Sequence, residues 1–220
     1  ERYVSAGIET DHECVTLDEA LGKCRLGMKI AIREGSAARN FDALWPLLNA
    51  FPEQCFFCSD DKHPDDLVVS HINALVARAV AQGVEPMVAM RAATLNPIRH
   101  YGLPAGLMQP RDRADLAEWD GFEKMNCLRC WSGGARVAEG GKSLLPYNKP
   151  GVVNLFRAKP KRPEDFVLPV ASGPRRVIVA LDGQLLTDEI SVEAAEADVS
   201  GDLLYIAVVN RYADTPPSVA

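Results

Sequence analysis

Phe56-Phe57-Cys58-Ser59-Asp60-Asp61-Lys62-His63-Pro64-Asp65-Asp66 is the stretch on which the reading of the fold turns. The apolar run Cys55 to Cys58 stops at two adjacent carboxylates. A His, a Pro and two further carboxylates follow, and then a long apolar-periodic segment begins. A buried strand whose C-terminal end opens into a loop and then a helix has this outline. In parallel α/β proteins, ligands and catalytic groups collect at the C-terminal ends of strands. There one carboxylate can hold a metal ion and its neighbour can handle protons. The plainer alternative makes Asp60 and Asp61 solvated turn residues and Asp65 or Asp66 a helix cap.

Outward from this stretch the pattern repeats. Tyr3 to Ile8 is short, apolar and β-compatible, and runs into Glu9-Thr10-Asp11-His12-Glu13. Thr16-x-x-Glu19 fits a capping box, and Leu17, Ala20, Leu21 and Cys24 recur at helical spacing behind it. Lys29 to Ile32 is the next strand, closed by Arg33-Glu34-Gly35-Ser36. A helix over about Asn40 to Ala50 follows, bent at Pro46. Gln54 to Ser59 is the third strand. Leu67, Val68, Ile72, Leu75, Val76, Ala79 and Val80 form one face of a single third helix that Gly83 stops, and Glu85-Pro86 opens a shorter one through about Ala93. Strand–helix alternation argues for parallel strands with right-handed crossovers. It suits part of a (β/α)8 barrel, with a doubly wound sheet as the alternative. No glycine-rich phosphate loop follows any strand, which weighs against nucleotide binding.

After Leu107 the character changes. Ala114–Trp119, Cys127–Trp131 and Ala135–Ala138 read as short strands, and Arg176–Leu181, Leu185–Val192 and Leu203–Val209 as three more. The sequence thus divides into an α/β part over residues 1–107, a small β-sandwich-type segment over 108–141, an irregular Pro-, Lys- and Arg-rich linker over 142–174, and a β-rich part over 175–220. The chain begins in strand-like sequence and ends just after a Pro-Pro turn, which reads as two cuts through a longer protein.

Composition narrows the function. Of 220 residues 47% are hydrophobic and 25% charged, ordinary for a soluble globular protein. A net charge of -6 without any Lys/Arg run argues against nucleic acid or an acidic membrane as partner. No apolar run approaches the roughly 20 residues of a membrane span, and no secretory signal opens the chain. A cytoplasmic protein is expected. Cys55-x-x-Cys58 and Cys127-x-x-Cys130 look like halves of a zinc site, but they lie too far apart for a zinc ribbon. Free thiols in a reducing compartment are the expectation.

The three strand ends offer His12 with Glu13, Arg33 with Glu34, and Asp60 with Asp61. A histidine and an aspartate on separate strands can converge on one ion, and imidazole with carboxylate suits Zn, Mn or Fe. Five passages go further. Ser5-Ala6-Gly7-Ile8-Glu9-Thr10-Asp11-His12-Glu13-Cys14, Arg33-Glu34-Gly35-Ser36-Ala37, Ser59-Asp60-Asp61-Lys62-His63-Pro64-Asp65-Asp66-Leu67, Ser70-His71-Ile72 and Ala93-Thr94-Leu95-Asn96-Pro97 closely resemble the bacterial adenine deaminases of the amidohydrolase superfamily. The match runs in order through most of residues 3 to 120, with a weaker echo at Asn210-Arg211-Tyr212.

The resemblance implies an α/β chain forming the C-terminal part of a (β/α)8 barrel, followed by small β-rich segments. It implies a purine-salvage reaction, the metal-dependent hydrolysis of adenine to hypoxanthine and ammonia by a metal-activated water. By the superfamily pattern His12 is a metal ligand at the sixth strand end. Asp60 is a ligand at the eighth and also takes the proton from the attacking water. Glu13 and Asp61 are then catalytic hydrogen-bonding or proton-transfer groups, or else support such groups from behind; Arg33, Glu34 and Ser36 line the substrate or orient the loops, and His63 lines the substrate or is a turn residue. His71 is expected to pack or bond locally and His100 to be structural. The metal implied is divalent, Mn or Fe before Zn; the substrate is a small molecule, and the full-length protein is expected to be a homo-oligomer. The superfamily's His-x-His pair is absent, as are its ligands from the fourth and fifth strands. The chain is therefore expected to be a middle piece that neither binds metal tightly nor turns over adenine alone. Another amidohydrolase chemistry, on a different base or a cyclic amide, and an inactive binding module are the competing readings.

Overall fold

The computed structural model describes residues 1–168, 173–193 and 203–220. It resolves into two compact units, residues 1–146 with 182–185, and residues 147–181 with 186–220.

The first unit is organised on three parallel strands, β1 (Thr10–Asp11), β2 (Lys29–Arg33) and β3 (Cys55–Cys58), in the order β1-β2-β3. Registers of Thr10 with Lys29 and of Ile30 with Cys55 through Arg33 with Cys58 bring the three C-terminal ends to one edge. β2 lies between the other two, and Ile30, Ala31, Ile32 and Arg33 in it are all buried. A strand covered on both faces reads as continuous apolar sequence, as this one does from Ile30 to Ile32 between its terminal Lys29 and Arg33. Helix α2 (Leu17–Arg25) starts where predicted: Thr16 Oγ1 accepts from the Glu19 N–H at 3.4 Å, and Glu19 returns the bond to the Val15 N–H. Pro46 divides the predicted 40–50 helix into α3 (Phe41–Leu44) and α4 (Leu47–Ala50). Ile30, Ile32, Phe41, Leu44, Leu47 and Leu48 close the core, each at most 1% exposed. Burying one such side chain is worth about 1.5–3 kcal/mol.

Two expectations for this part need correction, and one helix went unread. Tyr3 to Ile8 is not a strand. Arg2–Ser5 forms a helical turn, α1, with Ser5 and Ala6 N–H groups bonded back to Glu1 and Arg2 carbonyls, and pairing to β2 begins only at Thr10. Among the described residues the run has no partner strand against which to bury itself, and Tyr3 stays 70% exposed. The long third helix is two, α5 (Pro64–Leu67) and α6 (Ile72–Ala81), so Leu67 and Val68 leave the core face. The Asn73 side chain takes the His71 N–H at 2.9 Å and restarts the helix there. A further helix, α8 (Leu95–Tyr101), follows α7 (Pro86–Ala93) directly, because Pro97 falls in its first turn, where no N–H is needed.

His100, in α8, reaches the N-terminal ends of two strands. Its Nδ1 lies 2.9 Å from Lys29 Nζ, and its Nε2 bonds Thr10 Oγ1. Phe56 and Tyr101 pack their rings against it. Burial and then the Lys29 charge hold this imidazole below its ordinary pKa, against a smaller opposing pull from Glu9. The folded state therefore favours the neutral ring. Its contribution is whole above the unfolded-state value near 6.5 and is lost as pH falls through the lowered folded value. His100→Gln should flatten the fall in thermal stability between about pH 7.5 and about pH 5.5; an unchanged slope would contradict this role.

The first unit also holds an antiparallel sheet, β4 (Leu116–Trp119), β5 (Cys127–Ser132), β6 (Ala135–Glu139) and β7 (Lys142–Ser143), in sequential order. Arg129 ties its neighbours together, bonding Glu118 at 2.8 Å and Glu139 at 2.9 Å. In the second unit β8 (Arg175–Ala180) and β9 (Thr187–Val192) form a hairpin from Arg175 with Val192 to Ala180 with Thr187, and β10 (Ala207–Val208) pairs with β11 (Ser218–Val219). The strand expected over Leu203–Val209 is thus shorter. Lys159 and Lys161 both clasp Asp214, whose carboxyl their hydrogen bonds lower to about 2.

Candidate functional site

The parallel register places the residues after β1, β2 and β3 side by side, and one cation joins them. Arg33, the last residue of β2, is 1% exposed. Its guanidinium holds Glu13 with both terminal nitrogens, at 3.0 and 3.1 Å, and reaches Asp60 Oδ2 at 3.2 Å. A planar fork can serve two carboxylates in this way, and a lysine cannot. Burial alone would lower the Arg33 pKa; the bonds from Glu13 and Asp60 outweigh it and raise it, so the cation is permanent. His12 Nε2 lies 3.3 Å from Glu13 Oε1, so the strand ends form a chain His12–Glu13–Arg33–Asp60. His12 and Glu13 are 49% and 60% exposed and Asp60 37%, so these groups face solvent while the cation behind them does not.

Local structure explains why each residue stands there. Asp11 accepts the Glu13 N–H at 2.6 Å and pairs with Lys23 of α2, fixing the turn that presents His12 and Glu13. Burial would raise the Asp11 pKa, but Lys23 and the Glu13 N–H overcome it and hold it low. Asp60 has φ of 43°, left-handed backbone that few non-glycine residues adopt, Asp and Asn among them. Such strain persists where the surroundings enforce it and clusters at functional sites.

Asp61 sits deeper in the loop. Its Oδ2 accepts from the Ala37 N–H at 3.2 Å, and its Oδ1 is buried with no partner. Gly35 lies against it: a Cβ there would fall 1.7 Å from Asp61 Oδ1 and 3.3 Å from the Ser59 carbonyl. Gly35→Ala should therefore displace the Asp61 carboxylate and cost about 1–3 kcal/mol in urea unfolding. The loss should shrink in the Gly35→Ala/Asp61→Ala pair, whereas additive losses would separate the two residues.

Ser36 and His63 meet as well, but with each other. Ser36 Oγ accepts the His63 N–H at 2.8 Å and donates to Asp66, closing the loop after β2 onto the loop after β3. His71 Nε2 lies 3.0 Å from Ser59 Oγ, a tie between α6 and the β3 loop more distant than the local bond expected of it. Glu34 accepts the Phe41 N–H at 3.2 Å and pairs with Arg78 on α6. A cavity of about 310 Å³ lies between these loops and α6, bordered by Arg39, Lys62, His71 and Arg78. Sequence reading missed the bridging role of Arg33, the Asp11–Lys23 brace and the contact that reserves position 35 for glycine. Only the placement of Arg33 at the end of an apolar strand signalled the first.

The donor chemistry of His12 and Asp60 fits a divalent ion: an imidazole and a carboxylate with one oxygen uncommitted. Two donors do not close a coordination shell, and among the described residues no group of three or more His, Cys, Asp and Glu side chains gathers around one point.

Known proteins sharpen the assignment. The Amidohydrolase family profile matches residues 3–155. An adenine deaminase of Salinibacter ruber is 46% identical over 226 residues, taking in 100% of this chain and 42% of that protein. The corresponding proteins of a Sulfurovum species and of Methanosarcina acetivorans are 43% and 40% identical, each matched over 100% of this chain and 41% and 43% of their own lengths. The chain thus spans about two fifths of the relatives it matches. On the extent of the family match and the strand-end residues it contains, the chain belongs to the amidohydrolase family.

Proposed function

We propose that these residues are the C-terminal part of the barrel, over 1–107, and the β-rich segments beyond it, of an adenine deaminase that converts adenine and water to hypoxanthine and ammonia. The observation that carries the reading is the Glu13–Arg33–Asp60 bridge across the C-terminal ends of three parallel strands. Relatives named adenine deaminases, 35–46% identical over nearly the whole chain, support the substrate.

In this reading His12 and Asp60 hold a divalent metal, Mn or Fe, with donors from outside these residues. When bound, such an ion lowers the pKa of the attacking water. Asp60, with one carboxylate oxygen uncommitted, would take the proton as that water adds to C6 of the purine. Glu13 would present its carboxylate to the ring nitrogens from a backbone turn that Asp11 braces, and the proton that Asp60 takes up would leave on the departing ammonia, with Asp61 as the neighbouring carboxylate of the same loop. Arg33 acts through its partners, fixing the spacing of Glu13 and Asp60. Ser36 and His63 shape the substrate rim by joining the two loops. No helix among the described residues is long and apolar enough to cross a membrane. A cytoplasmic homo-oligomer working in purine salvage completes the proposal. Its test is ammonia release by the full-length protein from adenine, beside adenosine, cytosine and a cyclic amide. Release from adenine alone supports it; release from another of these and not adenine moves the substrate elsewhere in the family.

A further inference from the structure

The second Cys-x-x-Cys sequence has no part in the deaminase reading, and the structure gives it unusual geometry. Residues three apart in a regular strand point to opposite faces, so Cys127 and Cys130 of β5 should not meet. Here β5 carries one extra residue. Ala117 faces Cys130 and Glu118 faces Arg129, but the next residue, Trp119, faces Cys127, so Leu128 is bulged out. An inserted residue reverses the alternation from that point on. Cys127 and Cys130 therefore come to the same face, the one shared by Ala117, Trp119 and Ala138, while Arg129 and its glutamates take the other. The two sulfurs are 3.2 Å apart. Both side chains are partly exposed, and Cys130 is flanked across the sheet by two alanines, which leave room around it.

We propose that Cys127 and Cys130 form a redox-modification site, a dithiol that low-molecular-weight disulfides convert reversibly to an intrastrand disulfide. One sulfur attacks a sulfur of the small disulfide and releases one small thiol. The other then displaces the second from the mixed disulfide. Two electrons pass from the protein pair to the small disulfide, and the two protons leave on the released thiols. Closing the bond asks the sulfurs to approach by about 1.2 Å, from the observed 3.2 Å to the roughly 2.04 Å of a disulfide. The bulge, already the irregular point of the strand, is where that movement is easiest. Burial pushes the Cys127 thiol up to about 11, which lowers the share of thiolate available to start the exchange at neutral pH. Cys24 and Cys55 also touch, but both are buried within the core and closed to such a reagent.

Trypsin separates the pair, because Arg129 lies between them, into Met125–Arg129 and Cys130–Arg136. After treatment of the folded chain with oxidised glutathione, denaturation and alkylation, the labelled thiols should fall from six to four. The two peptides should appear joined and be released by dithiothreitol. The Cys127→Ser/Cys130→Ser variant should keep four labelled thiols with or without oxidant. Six labelled thiols after oxidation, a stable glutathione adduct on either cysteine, or a link between Cys24 and Cys55 instead would each overturn the proposal.

Discussion

Asp60→Asn is expected to lower adenine turnover by the full-length protein by about 10²–10⁴-fold, the range associated with loss of a positioned proton acceptor. The substitution is chosen for its backbone. Asp60 sits at φ of 43°, and asparagine tolerates left-handed backbone as readily as aspartate does. The loop should therefore stay in place while one negative charge and one potential metal donor disappear. Stability by urea unfolding should change by less than about 1 kcal/mol, since the Asp60 carboxylate is 37% exposed and its bond to Arg33 is one of three that the guanidinium makes. A variant that keeps wild-type turnover would remove Asp60 from the chemistry.

Arg33→Met should combine a loss of stability with a loss of rate. The guanidinium is buried, and Glu13 and Asp60 lean on it from two different loops. Breaking a wholly buried pair costs roughly 3–5 kcal/mol. Here the carboxylates keep 60% and 37% of their exposure and water can take over part of the work, so about 1–3 kcal/mol is expected. Turnover should fall by about 10–100-fold, as when groups that orient ligands and catalytic carboxylates are removed. The loss should lie in kcat more than in KM, because Arg33 fixes reacting groups and does not face solvent. Arg33→Lys should recover the stability better than the rate, since one ammonium cannot fork between two carboxylates. Full rescue of kcat by lysine would reduce Arg33 to a countercharge.

The strand–helix alternation was legible because each element carried its own signal. Thr16 with Glu19 marks a helix start, Ile30 to Ile32 is continuously apolar, and the adjacent aspartates end β3 abruptly. The misread segments lacked such a signal or depended on distant partners. Tyr3 to Ile8 is apolar enough for a strand, but among the described residues nothing pairs with it, and local bonds turn its start helical instead. Leu67 and Val68 continue a helical period by spacing alone. The chain nevertheless breaks at Ser70 and His71, where the Asn73 side chain and the Ser59 hydroxyl capture His71. Within the site, the residue types after each strand could be read directly. Their connections could not: the Arg33 fork, the seat of Asp61 against Gly35 and the link from Ser36 to His63 all join residues at least 20 positions apart. Nor does Cys127-x-x-Cys130 disclose its bulge, which depends on register against β4.

The central claim is that the strand ends after β1 and β3 serve a metal-dependent deamination of adenine. Its most direct test strips the full-length protein with a chelator and follows ammonia release from adenine as Mn is restored. Release should vanish on stripping and return with the metal in the wild type, but not in Asp60→Asn. Ammonia release that survives the chelator, or that returns fully in Asp60→Asn, would contradict the account.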